Sequence, residues 1–285
     1  MKKIAENAVI DPTVVLPQNI EIAPFCVIEG GTVLGDGTVL GAGCILEQGT
    51  VLGEGAVLGH YVTVGQGAQI GARTRIGDHT VIYSGARLGA ESFVGSHASL
   101  GRYPKPAAAS TVKVQNDLPP LTMGRGCTIG CSTVLYAGTS YGDQVFLGDS
   151  AMVRERCVIG EKVVIGSGTV VENDTTIGAF TKIQTGSYIT AYMTIEEQVF
   201  IAPMVTTTND NFMGRTEKRF KLVKGPTIRR GARIGGGSIL LPGVQIASET
   251  FVAAGALVTK DTESKRVVKG FPAKGIKDVP EEELL

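Results

Sequence analysis

The chain has 285 residues with 27 basic and 27 acidic side chains, no Trp, 39 Gly and 6% aromatic residues. The zero net charge excludes the basic excess of a general nucleic-acid binder, and no apolar run is long enough for a membrane-spanning helix. Scarce aromatics and plentiful Gly describe a thin aliphatic core with many chain reversals.

Taken in order, the chain opens on Met1-Lys2-Lys3 without a signal-peptide pattern, which makes the cytoplasm the expected compartment. From Ile4 to Leu100 an Ile, Leu or Val stands at every sixth position without a miss. The register resumes from Met123 to Ile201 and again from Ile228 to Val258. Of the 37 hexads, only those at Met123 and Tyr141 lack Ile, Leu or Val. Four residues after each aliphatic comes a small side chain in most cases, such as Cys26, Thr38, Cys44 or Ala56. A period of six fits neither a helix nor a simple amphipathic strand. It predicts short strands joined by tight turns, stacked as a hexapeptide β-helix. Three faces of six residues give an 18-residue coil, about twelve coils in all, spaced ~4.8 Å apart.

The expected divisions are coils over 1–100, a proline-rich excursion over 101–122, and coils over 123–206. A second excursion follows over 207–227, then coils over 228–262 and a terminal extension over 263–285. The first excursion carries four prolines with Arg102, Lys105 and Lys113, the composition of an ordered arm. The second contains Thr208-Asn209-Asp210 and opens a stretch with eight basic residues between 215 and 233 against one acid. That local excess points either to an anionic partner such as phosphate or to a solvated face. The tail from Pro280 to Leu285 predicts a short helix with acids in its first turn. Four of the five cysteines (Cys26, Cys44, Cys127, Cys157) fall on the small inward position as buried thiols. Cys127 and Cys131 lack a second ligand pair, so no metal site is expected. His79 and His97 lie 18 apart, on successive coils, with Tyr61 one coil earlier. This corner column is either a general-base site or a polar packing ladder.

The hexads resemble those of the left-handed β-helix acyltransferases, and that resemblance implies the left hand, a homotrimer, and active sites in clefts between subunits. From about Lys182 to Val279 the chain resembles the sugar N-acetyltransferases of this superfamily. The shared pieces are Lys182-Ile183-Gln184, Thr208-Asn209-Asp210, Gly235-Gly236, Ala254-Gly255-Ala256, Val258-Thr259-Lys260-Asp261 and Gly270-Phe271-Pro272-Ala273-Lys274. Where such enzymes often carry Pro-Arg after Thr-Asn-x, this chain has Phe212-Met213-Gly214-Arg215. The resemblance implies acetyl-CoA as co-substrate along Gly236, Gly237, Ala254 and Gly255, with Lys260, Lys269, Pro272 and Lys274 near its nucleotide end. It implies chemistry at Asn209 and Asp210, and acceptor contacts from Thr208, Gln184 and Arg215. The acceptor would be the amine of a nucleotide-linked amino sugar. Two alternatives stand beside it: an acyltransferase drawing on acyl carrier protein or a longer acyl-CoA, with His79 or His97 as base, and a non-catalytic trimeric scaffold.

Overall fold

A computed structural model describes residues 1–109, 117–215, 217–281 and 284. Lys113 and half of the tail expected to be helical (282, 283 and 285) lie outside these residues. The described chain forms two compact units, Met1–Ser150 and Ala151–Leu285, and each is an all-β parallel β-helix with three faces, as the hexads predict. In unit 1 the first face stacks Lys2–Ile4, Ile20–Ile22, Thr38–Leu40 and successors 18 residues apart, eight strands in all. In unit 2 the same face has six parallel strands.

Pairing follows the hexad register. Thr63 opposes Val81 and Val64 opposes Ile82, so each hexad aliphatic lies over its equivalent in the next coil. Nearly all are buried, among them Leu40, Leu46, Ile165 and Leu240 at 0% exposure. Each contributes about 2 kcal/mol gross of apolar burial. Only the first coil escapes this: Ile4 is 37% exposed.

The small inward positions follow a second logic. Thr80 Oγ1 donates to the Gly95 carbonyl at 3.0 Å and Thr181 Oγ1 to the Glu196 carbonyl at 2.9 Å. Cys26 and Cys44 make the same contact, Sγ to the carbonyls of Gly41 at 3.1 Å and Gly59 at 3.0 Å. Thr and Cys are therefore interchangeable inward donors to the turn carbonyl. Cys127 and Cys157 are buried likewise, while Cys131 is exposed.

Two features depart from the expectation. The coil count exceeds twelve, because Arg266–Gly270 adds a parallel rung on Phe251–Val252 beyond the last hexad. This coil is two residues short, Phe251 pairing with Val267 at a step of 16, and residues 259–265 form no third-face strand, so counting hexads missed the rung. The terminal extension is an antiparallel hairpin, Arg266–Gly270 against Ala273–Asp278, and the described helix is a single turn, Arg219–Leu222, in the second excursion.

Candidate active site

From Phe25 on, each regular turn of the coils places one residue at positive φ. Glycine fills many of these corners at no steric cost, but Phe25, Tyr61, His79, His97, Arg156, Asp174, Tyr192 and Met204 also adopt it. In unit 1 one corner carries rings: Tyr61 stacks on His79 with centroids 5.1 Å apart, and His79 on His97 at 5.0 Å. His97 is exposed, and its N–H donates to the Asp78 carbonyl at 2.9 Å. His60 is held apart from the stack, its Nδ1 accepting from the Ala42 N–H at 3.0 Å.

In unit 2 a corner carries Gly168, Gly186, Met204, Gly237 and Gly255, all at positive φ. A methyl group added at Gly168, Gly237 or Gly255 would meet nothing within 4 Å, whereas at Gly186 it would strike the Met204 sulphur. The edge is therefore bare backbone at Gly237 and Gly255. The Gly237 N–H donates to the Pro203 carbonyl at 3.1 Å and the Gly255 N–H to the Gly236 carbonyl at 2.9 Å. The N–H groups of Gly236 and Ala254 have no protein acceptor among the described residues. At some corners of unit 1 the preceding residue is capped from the next coil: Asp78 Oδ1 accepts from the His60 N–H at 2.7 Å and Asp149 Oδ1 from the Cys131 N–H at 2.7 Å, while the N–H groups of Ala72, Ala90 and Ser96 have no acceptor among the described residues. Above Gly236 the next coil offers Ala254, which has no acceptor side chain. The pair of open donors is thus written in the sequence as Gly-Gly followed 18 residues later by Ala-Gly.

The hairpin brings the predicted lysines to the same end of unit 2. Lys269 lies directly opposite Lys274, a like-charge pair that an anion would relieve. Pro272 follows a cis bond in the turn. Lys260 lines an open cavity of about 310 Å3 with Asp261, Arg266, Val268, Ala273 and Gly275.

The second excursion replaces one corner of a unit 2 coil. Its roots are fixed: the Thr208 N–H and Oγ1 both donate to the Leu240 carbonyl, at 3.1 and 3.3 Å. Asn209 Nδ2 donates to the Ala191 carbonyl at 3.4 Å, a long bond that leaves its side-chain oxygen available. Where the excursion returns, Gly225 passes so close to residues 191–193 that a Cβ would sit 2.8 Å from the Ala191 carbonyl oxygen. Asp210 is engaged by three donors: the N–H of Phe212 at 2.7 Å, the N–H of Gly214 at 3.0 Å and Arg219 Nη1 at 3.0 Å. The Phe212 N–H bond, with the Arg219 guanidinium adding to it, holds its carboxyl below the usual carboxylate range.

Half of the eight basic residues have internal roles. Besides Arg219, Arg229 pairs with Glu196 at 2.8 Å and Arg230 with Glu197 at 3.3 Å, and Arg233 lies over the Phe251 ring. Arg215, Lys218, Lys221 and Lys224 carry no ion pair among the described residues. Gln184 lies in unit 2, and its carbonyl accepts from Thr169 Oγ1 at 3.0 Å.

In the sequence Arg154 and Glu155 stand out as charged residues beside a corner, suited to solvation or a subunit contact, but their pairing is not evident there. Arg154 holds Glu155 through two bonds of 2.8 and 3.0 Å, and Arg156 holds Asp174 through two of 2.7 Å. The spacing of 18 between Arg156 and Asp174, and between Arg154 and Glu172, was the available signal. Among the described residues no three His, Cys, Asp or Glu side chains converge as metal ligands, and no helix is long and apolar enough to cross a membrane.

Against known proteins, residues 31–66 match the bacterial transferase hexapeptide family, described as six repeats. The match falls within the coils of unit 1 and agrees with the hexapeptide-repeat resemblance read from the hexads. Over 95 residues the chain is 37% identical to the serine acetyltransferase of Buchnera aphidicola subsp. Acyrthosiphon pisum (strain APS), covering 33% of this chain and 32% of that protein. It thus spans about a third of the length of that curated relative. Similar solved structures include the UDP-N-acetylglucosamine O-acyltransferase of Moraxella catarrhalis RH4 (18% identity, 98% of this chain and 76% of that one, TM-score 0.38). A serine acetyltransferase in complex with CoA is similar over 38% of this chain and 42% of its own, at 21% identity and TM-score 0.32.

Proposed function

We propose that the chain is an acyltransferase that moves the acetyl group of acetyl-CoA to the amine of a nucleotide-linked amino sugar, acting in the cytoplasm as a homotrimer. The observation that carries this reading is the pair of open N–H donors at Gly236 and Ala254 beside the bare corners Gly237 and Gly255. They lie on successive coils, ~4.8 Å apart, a rise comparable with the spacing of the two amides in a pantetheine arm. The paired Lys269 and Lys274, with Lys260 near the same hairpin, supply cations for the phosphates at the nucleotide end.

The excursion supplies the acceptor side. The neutral amine attacks the thioester carbonyl carbon, the oxyanion collapses, and the C–S bond breaks. Coenzyme A leaves as thiolate, and the proton lost from the amine passes to solvent or to that sulphur. Asn209 orients the amine through its side-chain oxygen, so that positioning supplies much of the acceleration. Asp210, with three donors already on it, shapes the loop that presents Asn209 and acts as a positioning residue. Thr208 and Arg215 belong to the acceptor side of the reading, while Gln184, in the column of Ala202 and Gly235, stands at the glycine edge. The glycine corner and the loop are on opposite edges of one face, roughly 13 Å apart at the strand rise per residue. A cleft that joins two such edges calls for a neighbouring prism, which supports the trimer.

The exposed Tyr61–His79–His97 stack favours a second reading, an acyl transfer in unit 1 with a histidine base and a donor such as acyl carrier protein. Transfer assays with acetyl-CoA, longer acyl-CoA and acyl carrier protein separate the two. The leading reading expects turnover with acetyl-CoA that Asn209→Ala abolishes and His97→Ala spares. The opposite pattern overturns it.

A further inference from the structure

Along one edge of unit 2, Glu172, Thr190 and Thr208 follow one another at 18-residue steps, each on the next coil. Glu172 therefore lies two coil rises, roughly 10 Å, from the root of the Asn209 loop. It belongs to a network of three carboxylates and two guanidinium groups, and the three acids are not equally satisfied. Glu155, with its side chain only 4% exposed, takes two short bonds from Arg154. Asp174 takes two of 2.7 Å from Arg156 and a third from Asn173. Among the described residues the Glu172 carboxylate accepts one bond on each oxygen, at 3.2 Å from Arg154 Nη1 and 3.4 Å from the Tyr188 hydroxyl. Each carboxylate oxygen has two lone pairs, so Glu172 retains acceptor capacity on a partly open side chain. The nearby carboxylate and burial push the Tyr188 phenol up, burial being the larger cause, so the phenol stays neutral.

The Tyr188 ring reaches this carboxylate through its hydroxyl, and Tyr192 stands at the next corner, its backbone N–H donating to the Asn173 carbonyl. Tyr188 is 41% and Tyr192 47% exposed, and Tyr192 occupies the corner on which both roots of the excursion rest, between Ala191 and Met193. Exposed aromatic faces beside a carboxylate suit a ring that offers C–H surface on one side and hydroxyl donors at its rim. A ligand ammonium suits the place less well, because Arg154 already puts a guanidinium on the same carboxylate.

We propose that Glu172, with Tyr188 and Tyr192, binds a vicinal diol of a glycosyl ring, so that the acceptor reaches from Asn209 to Glu172 and is a glycoside rather than a single amino acid. The assignment rests on the reading that the Asn209 loop is the acceptor side. The diol belongs either to a hexose or to the ribose of an attached nucleotide, and calorimetry distinguishes them with glucosamine 1-phosphate, which carries the first, and UMP, which carries the second. L-serine, with neither, is the reference. The expected result is that at least one of the two diol ligands binds, and that Glu172→Gln weakens it at least tenfold. Tyr192→Ala, which leaves every ion pair in place, should weaken the same ligand, while acetyl-CoA binds both variants as it binds the parent. Failure of both diol ligands to bind, or equal affinity in parent and Glu172→Gln, overturns the proposal. Failure of acetyl-CoA to bind the parent protein would instead remove the donor reading, so the two failures are told apart.

Discussion

Two corner columns, one in each unit, solve the same problem in opposite ways. Each regular turn needs a residue at positive φ, which costs an L side chain about 1–2 kcal/mol. In unit 1 Tyr61, His79 and His97 accept that cost and recover part of it by stacking at about 5 Å. In unit 2 Gly237 and Gly255 avoid it and leave the backbone uncovered. Capping varies within each unit: carboxylates close the amides of His60 and Cys131 in unit 1 and of Arg230 in unit 2, while those of Ala72 and Ala90 in unit 1, like those of Gly236 and Ala254 in unit 2, stay open. The contrast teaches that a repeat can be regular in its core and still set aside one edge for a ligand by choosing what stands at and before each corner.

The largest effects should be indifferent to this contrast. Leu40→Ala in unit 1 and Leu240→Ala in unit 2 remove fully buried hexad aliphatics, and each should cost about 2–5 kcal/mol in denaturant unfolding. Next comes Gly235→Ala, whose Cβ would sit 2.4 Å from the Ala254 nitrogen. That overpacking should cost about 1–3 kcal/mol, read in the same way. Gly255→Ala sharpens the comparison further. Its methyl group meets nothing, so only the backbone cost of about 1–2 kcal/mol applies, yet calorimetry should show weaker acetyl-CoA binding.

The Asp210 loop gives a pH-dependent prediction. Its folded-state pKa lies below the ordinary 3.8, chiefly through the Phe212 N–H and then Arg219. A depressed carboxyl contributes stability above its unfolded value and loses it as pH falls through the folded one. Hydrogen exchange at the Gly214 amide should therefore be independent of this group near neutrality and accelerate below about pH 4. Asp210→Asn should remove that acid-dependent step. The smallest effect is expected from Arg73→Ala. Its partner Glu91 is as exposed as Arg73 itself, and the melting temperature should not move measurably.

Much of this architecture was legible in the sequence because a buried position in a β-helix recurs at a fixed interval. The hexads from Ile4 to Val258 located the coils, and the breaks after Leu100 and Ile201 located both excursions. The glycine edge was readable for the same reason, since Gly237 and Gly255 stand at equivalent positions on successive coils. The rung at Arg266–Gly270 was not readable, because the coil leading to it is two residues short of the period while Val267 and Val268 still pair with Phe251 and Val252. Nor were the commitments of Asp210. Thr-Asn-Asp gives the residue types at a loop mouth, but the three donors come from Phe212, Gly214 and Arg219, and a loop fold that lacks a period sets their positions. The Arg154–Glu172 and Arg156–Asp174 pairs were hidden in plain composition, visible only once charged residues, like aliphatics, are read at steps of 18.

Backbone hydrogen exchange with and without acetyl-CoA tests the central claim most directly. The account predicts slowed exchange at Gly236 and Ala254, extending into the hairpin over 268–275, with no change around Tyr61, His79 and His97. Protection at the histidine corner with none at Gly236 and Ala254 would contradict it.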